Sequence, residues 1–349
     1  MKAFVIKKAL EYGLEERPRP ACAYDGVVIK VLAAALCHSD LDIIEGRRKH
    51  FVRFPNTLGH EFAGEVVETG EGVKHVKAGD HVVCECIVWC GTCVSCRRGL
   101  TSICENCTEL GTMEPGGFAE YAAVPGRLVH PADGLTIEEA ALIEPAGNGL
   151  HAAEKAGIQP GDKVAIIGPG PIGLLAMQFA ATYHPSQLIM IGTRRARLAF
   201  AEKLGATHTV NIREADAIEA VMDITGGHGA DQIINCATTD SAFELSLKIA
   251  ARNATIAVEG LSSSGKPQSV LMDDFNKPIS IVGVCGVQSR QYEKAIALVR
   301  GKCVDVMSLV THRFPLEMME QALRAMKEKR DEVMKILILP HGTPGETAF

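Results

Sequence analysis

The sequence predicts an α/β protein of two domains, a mostly β domain followed by a doubly wound parallel sheet, and three observations carry that prediction. The chain has 349 residues, beyond the size at which one hydrophobic core stops growing, so two cores are expected. Up to about residue 148 the apolar runs are short and alternating, as in DGVVIKVLAAA, EFAGEVVETG and GDHVVCECIVW, and Gly and Pro break them. That is the pattern of half-buried strands. From about 149 to 285 short apolar strands alternate with helical stretches, the rhythm of βαβ units and a parallel sheet.

The elements of the second region follow in order. KVAII reads as a strand, with a helix from about Pro171 to Tyr183; QLIMI is the next strand, with a helix from about Ala196 to Leu204; then come the strands DQIINCA, ATIAVEG and ISIVGV. The last stretch holds helices near QYEKAIALVRG and LEMMEQALRAMKE and a closing strand KILIL. The expected organisation is therefore a first domain over 1–148 to which 286–349 returns, and a second over 149–285. The Pro/Gly-rich tail PHGTPGETAF is expected to be disordered.

Bulk properties exclude several classes of function. A net charge of -6 gives no electrostatic reason to approach nucleic acid or anionic lipid. No apolar run reaches the roughly eighteen residues of a membrane span. The start MKAFVIKKALEYGLEE has neither the apolar core nor the cleavage site of an export signal, so a soluble cytoplasmic protein is expected. In that compartment the twelve cysteines should stay reduced, and metal ligation is the better reading of clustered ones.

The densest cluster is CGTCVSCRRGLTSIC, where Cys90, Cys93, Cys96 and Cys104 fall within fifteen residues at metal-binding spacing. A second motif is KVAIIGPGPIGLLAMQFA, which places Gly168, Gly170 and Gly173 in GxGxxG spacing between a buried strand and a helix opened by Pro171 and Ile172. The first glycine permits a tight turn, the second lets backbone approach a pyrophosphate, and the third allows helix and strand to pack closely. An acid some twenty residues on would hold an adenosine ribose through its 2′-hydroxyl. Here Gly192 stands at that strand end, followed by Thr193, Arg194, Arg195 and Arg197. A small residue, a hydroxyl and an arginine accept a 2′-phosphate that a carboxylate would repel, which favours NADP(H) over NAD(H). At least one of the arginines is expected to be simply a solvated helix face.

Upstream, ALCHSDLD and LGHEFAGEVVETG supply Cys37, His60 and Glu61, a thiolate, an imidazole and a carboxylate suited to a zinc with an open position. Together with ALIEPAGNGLHAA, GGFAEYAAVP, RLAFAEKLGA and THRFPLE, these motifs make the chain resemble the zinc-dependent alcohol and polyol dehydrogenases of the medium-chain dehydrogenase/reductase superfamily over about residues 1–340. The resemblance implies a GroES-like catalytic domain interrupted by a Rossmann domain, with the active site in the cleft between them. It makes Cys37, His60 and Glu61 catalytic zinc ligands, and Glu144 the remaining ligand, directly or through the metal's water. Ser39 becomes the residue that passes the substrate proton outward, with His38 near the cofactor, and Asp40 takes a structural role. Cys90, Cys93, Cys96 and Cys104, rather than Cys107, become a closed structural zinc site, so two zinc ions per chain are expected. One position departs from the family: Asp42 stands where many relatives have a histidine that ends the proton relay or lines the pocket.

In this chemistry zinc lowers the pKa of the substrate hydroxyl, Ser39 takes its proton, and C4 of the nicotinamide takes the hydride. The Cys/His/Glu set with EPAGNG resembles sorbitol and threonine dehydrogenases more than ethanol enzymes, so polyols, cyclitols, sugars or amino alcohols and their ketones are the expected substrates. Family members associate, and a homotetramer or homodimer is expected, with ISIVGV available to pair across the interface. The rivals are an NAD-linked enzyme of the same kind, a zinc-free quinone reductase, which Cys37 and His60 oppose, and a non-catalytic zinc scaffold, which the second metal set opposes.

Overall fold

The strand Gly26–Leu36 is the spine of the first unit. Val27, Ile29 and Val31 enter the core beside Phe4, Phe62, Val66, Val82 and Ile338, each apolar side chain contributing roughly 1.5–3 kcal/mol on full burial. Along one edge this strand pairs antiparallel with Glu61–Thr69, and along the other with Tyr121–Pro125 and Lys335–Leu339, within a seven-stranded sheet. The computed structural model describes residues 1–48, 52–260, 277–328 and 333–342. Most of the Pro/Gly-rich tail lies outside the described residues.

By its contacts the chain divides into two compact units. One holds Met1–Glu144, Val287–Gly301 and the residues from Val306 on; the other holds Pro145–Gly286 and Lys302–Asp305. In the first, the strand register decides where chemistry can gather. Ala35 stands opposite Glu61, and Leu36 opposite Ile336. Cys37, one residue past the spine, is thereby brought to the start of two neighbouring strands, where His60, Glu61 and Lys335 lie.

The second unit is a six-stranded, all-parallel sheet: His208–Asn211, Gln187–Gly192, Lys163–Ile167, Ala230–Asn235, Ala250–Val258 and Ser280–Gly283 from edge to edge. Numbered along the chain the order is 3-2-1-4-5-6, that of a Rossmann sheet, so its switch point lies between Lys163–Ile167 and Ala230–Asn235. Side chains such as Ile167, Ile189, Ile233 and Ile256 are withdrawn from water, as strands covered on both faces require. The helices after the first two strands are Pro171–Ala181 and Arg195–Lys203. The strand His208–Asn211 and the helices Ala217–Thr225 and Asp240–Ile249 add to the expected elements. Ala217–Thr225 is bounded by local chemistry. Asp216 Oδ1 accepts from the Ile218 and Glu219 N–H groups at 2.8 and 3.1 Å, and Gly226 closes the helix at φ +67.

Candidate active site and metal centres

Cys37 precedes the short helix His38–Ile44, and Asp40 in its first turn ties the site together. Asp40 Oδ2 accepts the Cys37 N–H at 2.9 Å, while Oδ1 faces His60 Nδ1 at 3.6 Å, with both residues buried. The ligand atoms of Cys37, His60 and Glu61 all lie within 4.8 Å of one another. Burial by itself would lower the His60 imidazole, but the charge of Asp40 and the contact with Cys37 outweigh it and raise the group well above its ordinary value. A carboxylate behind one ring nitrogen, with the other turned toward the remaining ligands, is how metal-binding histidines are held; His60 Nε2 lies 4.0 Å from Glu61 Oε1. The set of half-buried thiol with buried imidazole and carboxylate fits zinc.

Lys335 was not singled out in the sequence. It is buried at the start of Lys335–Leu339, and its ammonium donates to Glu61 Oε1 at 2.6 Å and also to Oε2. Burial opposes its charge, yet Glu61 and Cys37 hold it above its ordinary range. A carboxylate offers about four lone-pair positions, so this pairing leaves Glu61 able to bind a cation. The signal in the sequence was faint: one lysine opening the otherwise apolar KILIL.

Glu144 is buried in the first turn of the helix Ile143–Ala156. It lies outside the three-residue group, and its Oε1 accepts from the Cys86 thiol at 3.5 Å. Burial, then the charge of Glu144, pushes that thiol well up, which keeps it a donor. Ser39 is half-buried beside Cys37, and His38 is exposed. Asp42, the departure from the family pattern, is held by the Arg47 guanidinium, with Nε at 2.8 Å, and lies 3.8 Å from His38 Nε2.

The four thiols of the lobe also converge. Sγ of Cys90, Cys93, Cys96 and Cys104 lie within 4.8 Å of one another, and Cys93 and Cys104 are 3.9 Å apart, close to the roughly 3.8 Å edge of a tetrahedral zinc–thiolate site. Backbone N–H groups of Thr92 and Cys93 and the Thr92 hydroxyl donate to Cys90 Sγ, and these donations hold its pKa down to about 5. Cys96, by contrast, is pushed up to about 12, first by burial and then by its thiol neighbours. Four thiolates cannot share this space without a cation, so the lobe fits a metal with no open position.

In the second unit, a cavity of about 460 Å³ opens at the switch point, lined by Gly168, Gly170, Gly192, Thr193, Arg194 and Arg197 among others. Gly168 adopts φ +103, reachable at little cost only without a side chain. A Cβ on Gly173 would stand 2.0 Å from Gly168 O, which is the close helix–strand packing a dinucleotide loop needs. A Cβ on Gly170, in contrast, would meet nothing within 4 Å and would only fill the cavity edge. The loop and the helix opened by Pro171, Ile172 and Gly173 thus fit a pyrophosphate. Gly192 has a reason of its own: a Cβ there would lie 2.5 Å from Cγ and Cδ of Pro169. Arg195 turns away to Glu214 at 2.6 Å and is the solvated member of the arginine cluster.

Comparison with known proteins places the chain in a family. Residues 24–134 match the alcohol dehydrogenase GroES-like domain and residues 171–301 the zinc-binding dehydrogenase family. Sorbitol dehydrogenase of Bacillus subtilis (strain 168) is 35% identical over 346 residues, 98% of each chain. L-threonine 3-dehydrogenase of Bacillus velezensis is 33% identical over 97% of this chain and 99% of that one. A Sinorhizobium meliloti 1021 structure bound to NADP has TM-score 0.91 and 26% identity over 97% of this chain and 99% of its own. An alcohol dehydrogenase from Escherichia coli CFT073 complexed with NADH has TM-score 0.90 and 26% identity over the same shares. The chain belongs to the zinc-dependent alcohol and polyol dehydrogenases of the medium-chain dehydrogenase/reductase superfamily.

Proposed function

We propose that this dehydrogenase transfers a hydride between NADP(H) and a secondary alcohol or ketone of a polyol, cyclitol, sugar or amino alcohol. The observation that carries the reading is the group of half-buried Cys37 with buried His60 and Glu61, their ligand atoms within 4.8 Å of one another. Bound there, zinc supplies a Lewis acid for the substrate hydroxyl, and a bound nicotinamide supplies the hydride acceptor. Cys37, His60 and Glu61 hold the metal, with Glu144 as the fourth ligand, directly or through water. Asp40 fixes the Cys37 backbone and sets its charge beside His60, and Lys335 offsets the charge of Glu61. Ser39 Oγ takes the substrate proton as the alcohol is oxidised and returns it in the reverse direction. Cys90, Cys93, Cys96 and Cys104 hold a second, structural zinc. The names of the relatives, sorbitol and L-threonine dehydrogenase, support the substrate class.

For the cofactor, Thr193, Arg194 and Arg197 at the cavity wall support NADP, as does the NADP-bound neighbour. An NAD-linked enzyme is the second reading, because Pro169 alone explains a glycine at position 192 and another neighbour carries NADH. The proposed location is cytoplasmic. A homotetramer or homodimer is supported by Ser280–Gly283, which ends the sheet with Ile281 exposed. The test is metal analysis combined with turnover of a polyol, cyclitol and L-threonine panel with each coenzyme. Two zincs per chain, one chelated with loss of activity, and higher kcat/KM with NADP are expected. Full activity after removal of both metals would sink the mechanism.

A further inference from the structure

The carboxylate proposed as the fourth ligand is gripped by a thiol that the reaction does not use. Cys86 Sγ donates to Glu144 Oε1 at 3.5 Å, and both residues are buried. Cys86 is itself fixed on both sides of its backbone. Its N–H donates to the Tyr292 hydroxyl at 3.2 Å, and its carbonyl accepts the Leu110 N–H at 2.9 Å. Tyr292 is wholly buried and lies flat on the His130 ring, with centroids 5.5 Å apart and planes within 1°. His130 Nε2 sits 2.8 Å from Glu85 Oε1, and Glu85 Oε2 accepts from Trp89 Nε1 at 3.1 Å. Trp89 immediately precedes Cys90, the first thiol of the lobe, and the Arg127 guanidinium both stacks on its ring and binds its carbonyl. Hydrogen bonds and one ring stack, that of Tyr292 on His130, therefore link the foot of the thiol lobe to Glu144.

A glutamate side chain has three rotatable bonds, and a ligating carboxylate is as good as the groups that hold its other lone pairs. A thiol on a fixed backbone is a weak donor but a well-placed one. We infer that Cys86 is a positioning residue, held by Tyr292, whose S–H contact fixes the Glu144 carboxylate for its role at the metal. The inference rests on the reading of Glu144 as a metal ligand, and the two can fail separately.

The experiment compares the zinc-loaded enzyme with Cys86→Ala, Cys86→Ser, Glu144→Gln and the double variant Cys86→Ala/Glu144→Gln. The readouts are the faster phase of zinc loss to EDTA and the visible d–d spectrum after Co2+ replacement. Cys86→Ala should speed zinc loss roughly tenfold, as removal of an outer partner of a metal ligand does, and shift the cobalt spectrum. Cys86→Ser, which keeps a donor, should stay near wild type. In the Glu144→Gln background Cys86→Ala should add nothing, since the two act as one unit. Should Cys86→Ala fail to fold, Cys86→Val, which also lacks the donor, carries the same comparison. Wild-type zinc loss in Cys86→Ala, or an effect that persists undiminished beside Glu144→Gln, overturns the inference while leaving Glu144 as ligand. Unchanged zinc loss and spectrum in Glu144→Gln itself overturns the ligand reading, and the inference with it.

Discussion

Lys335 donates to both carboxylate oxygens of Glu61, 2.6 Å to Oε1, in a pair almost wholly withdrawn from water. The contact sits beside Cys37 and His60, so one carboxylate answers to two cationic partners, the ammonium and the metal of the proposed site.

Replacing Lys335 with Met should therefore hurt the metal-free protein far more than the zinc-loaded one. Breaking a buried ion pair costs about 3–5 kcal/mol because it strands the remaining charge. Zinc would supply a substitute partner for Glu61. Thermal unfolding with and without EDTA checks this, and an equal drop in both forms would refute the shared-carboxylate account.

At the cavity proposed for the coenzyme, Arg194→Ala should raise KM for NADP by roughly tenfold or more, the worth of a charge-assisted hydrogen bond of about 1.5–3 kcal/mol. KM for NAD should barely change. Steady-state kinetics with both coenzymes decide the matter, and equal effects would remove Arg194 from phosphate recognition.

Gly192→Asp would be the obvious route to an NAD enzyme, yet here it should fail by itself. The new Cβ would press on Pro169 at 2.5 Å and distort the phosphate loop, weakening both coenzymes. Gly192→Asp with Pro169→Ala removes the ring atoms in the way and should recover NAD binding. Coenzyme titration of the single and double variants would expose the idea as wrong if the single variant binds NAD well.

The lobe should show an ordered pH response once stripped of metal. The folded Cys90 thiol ionises at about 5, below its ordinary 9.0, because N–H and O–H groups of residues 92 and 93 donate to it. A depressed acid stabilises the fold above its unfolded value and loses that contribution as pH falls through the folded one. The contribution of Cys90 is thus complete above about pH 9 and gone below about pH 5. Cys96, pushed up to about 12, works in the opposite sense at high pH. Iodoacetamide labelling read by mass spectrometry should mark Cys90 near pH 6 and spare Cys96, and Thr92→Val should move Cys90 labelling to higher pH. Equal labelling of both would contradict the assignment.

Much of this protein could be read from its residues because the signals were local. The strand–GxGxxG–helix run from Lys163 to Ala181 specifies its own turn, and CxxCxxC packs three donors within one loop. The helix Ala217–Thr225 was equally local, capped by Asp216 and Gly226, and those caps were the signal available for it.

By itself the sequence determined the α/β class, the zinc dehydrogenase family and the donor types of both candidate metal groups, since those depend on periodicity and on motifs short enough for the chain to carry intact. Only the tertiary structure decided which distant residues meet. Lys335 reaches Glu61 because Leu36 is in register with Ile336, Cys86 reaches Glu144 across the core, and Gly192 is bounded by Pro169 from the preceding loop. Each of these contacts joins segments through strand pairing or packing, and neither leaves a mark at fixed spacing along the chain.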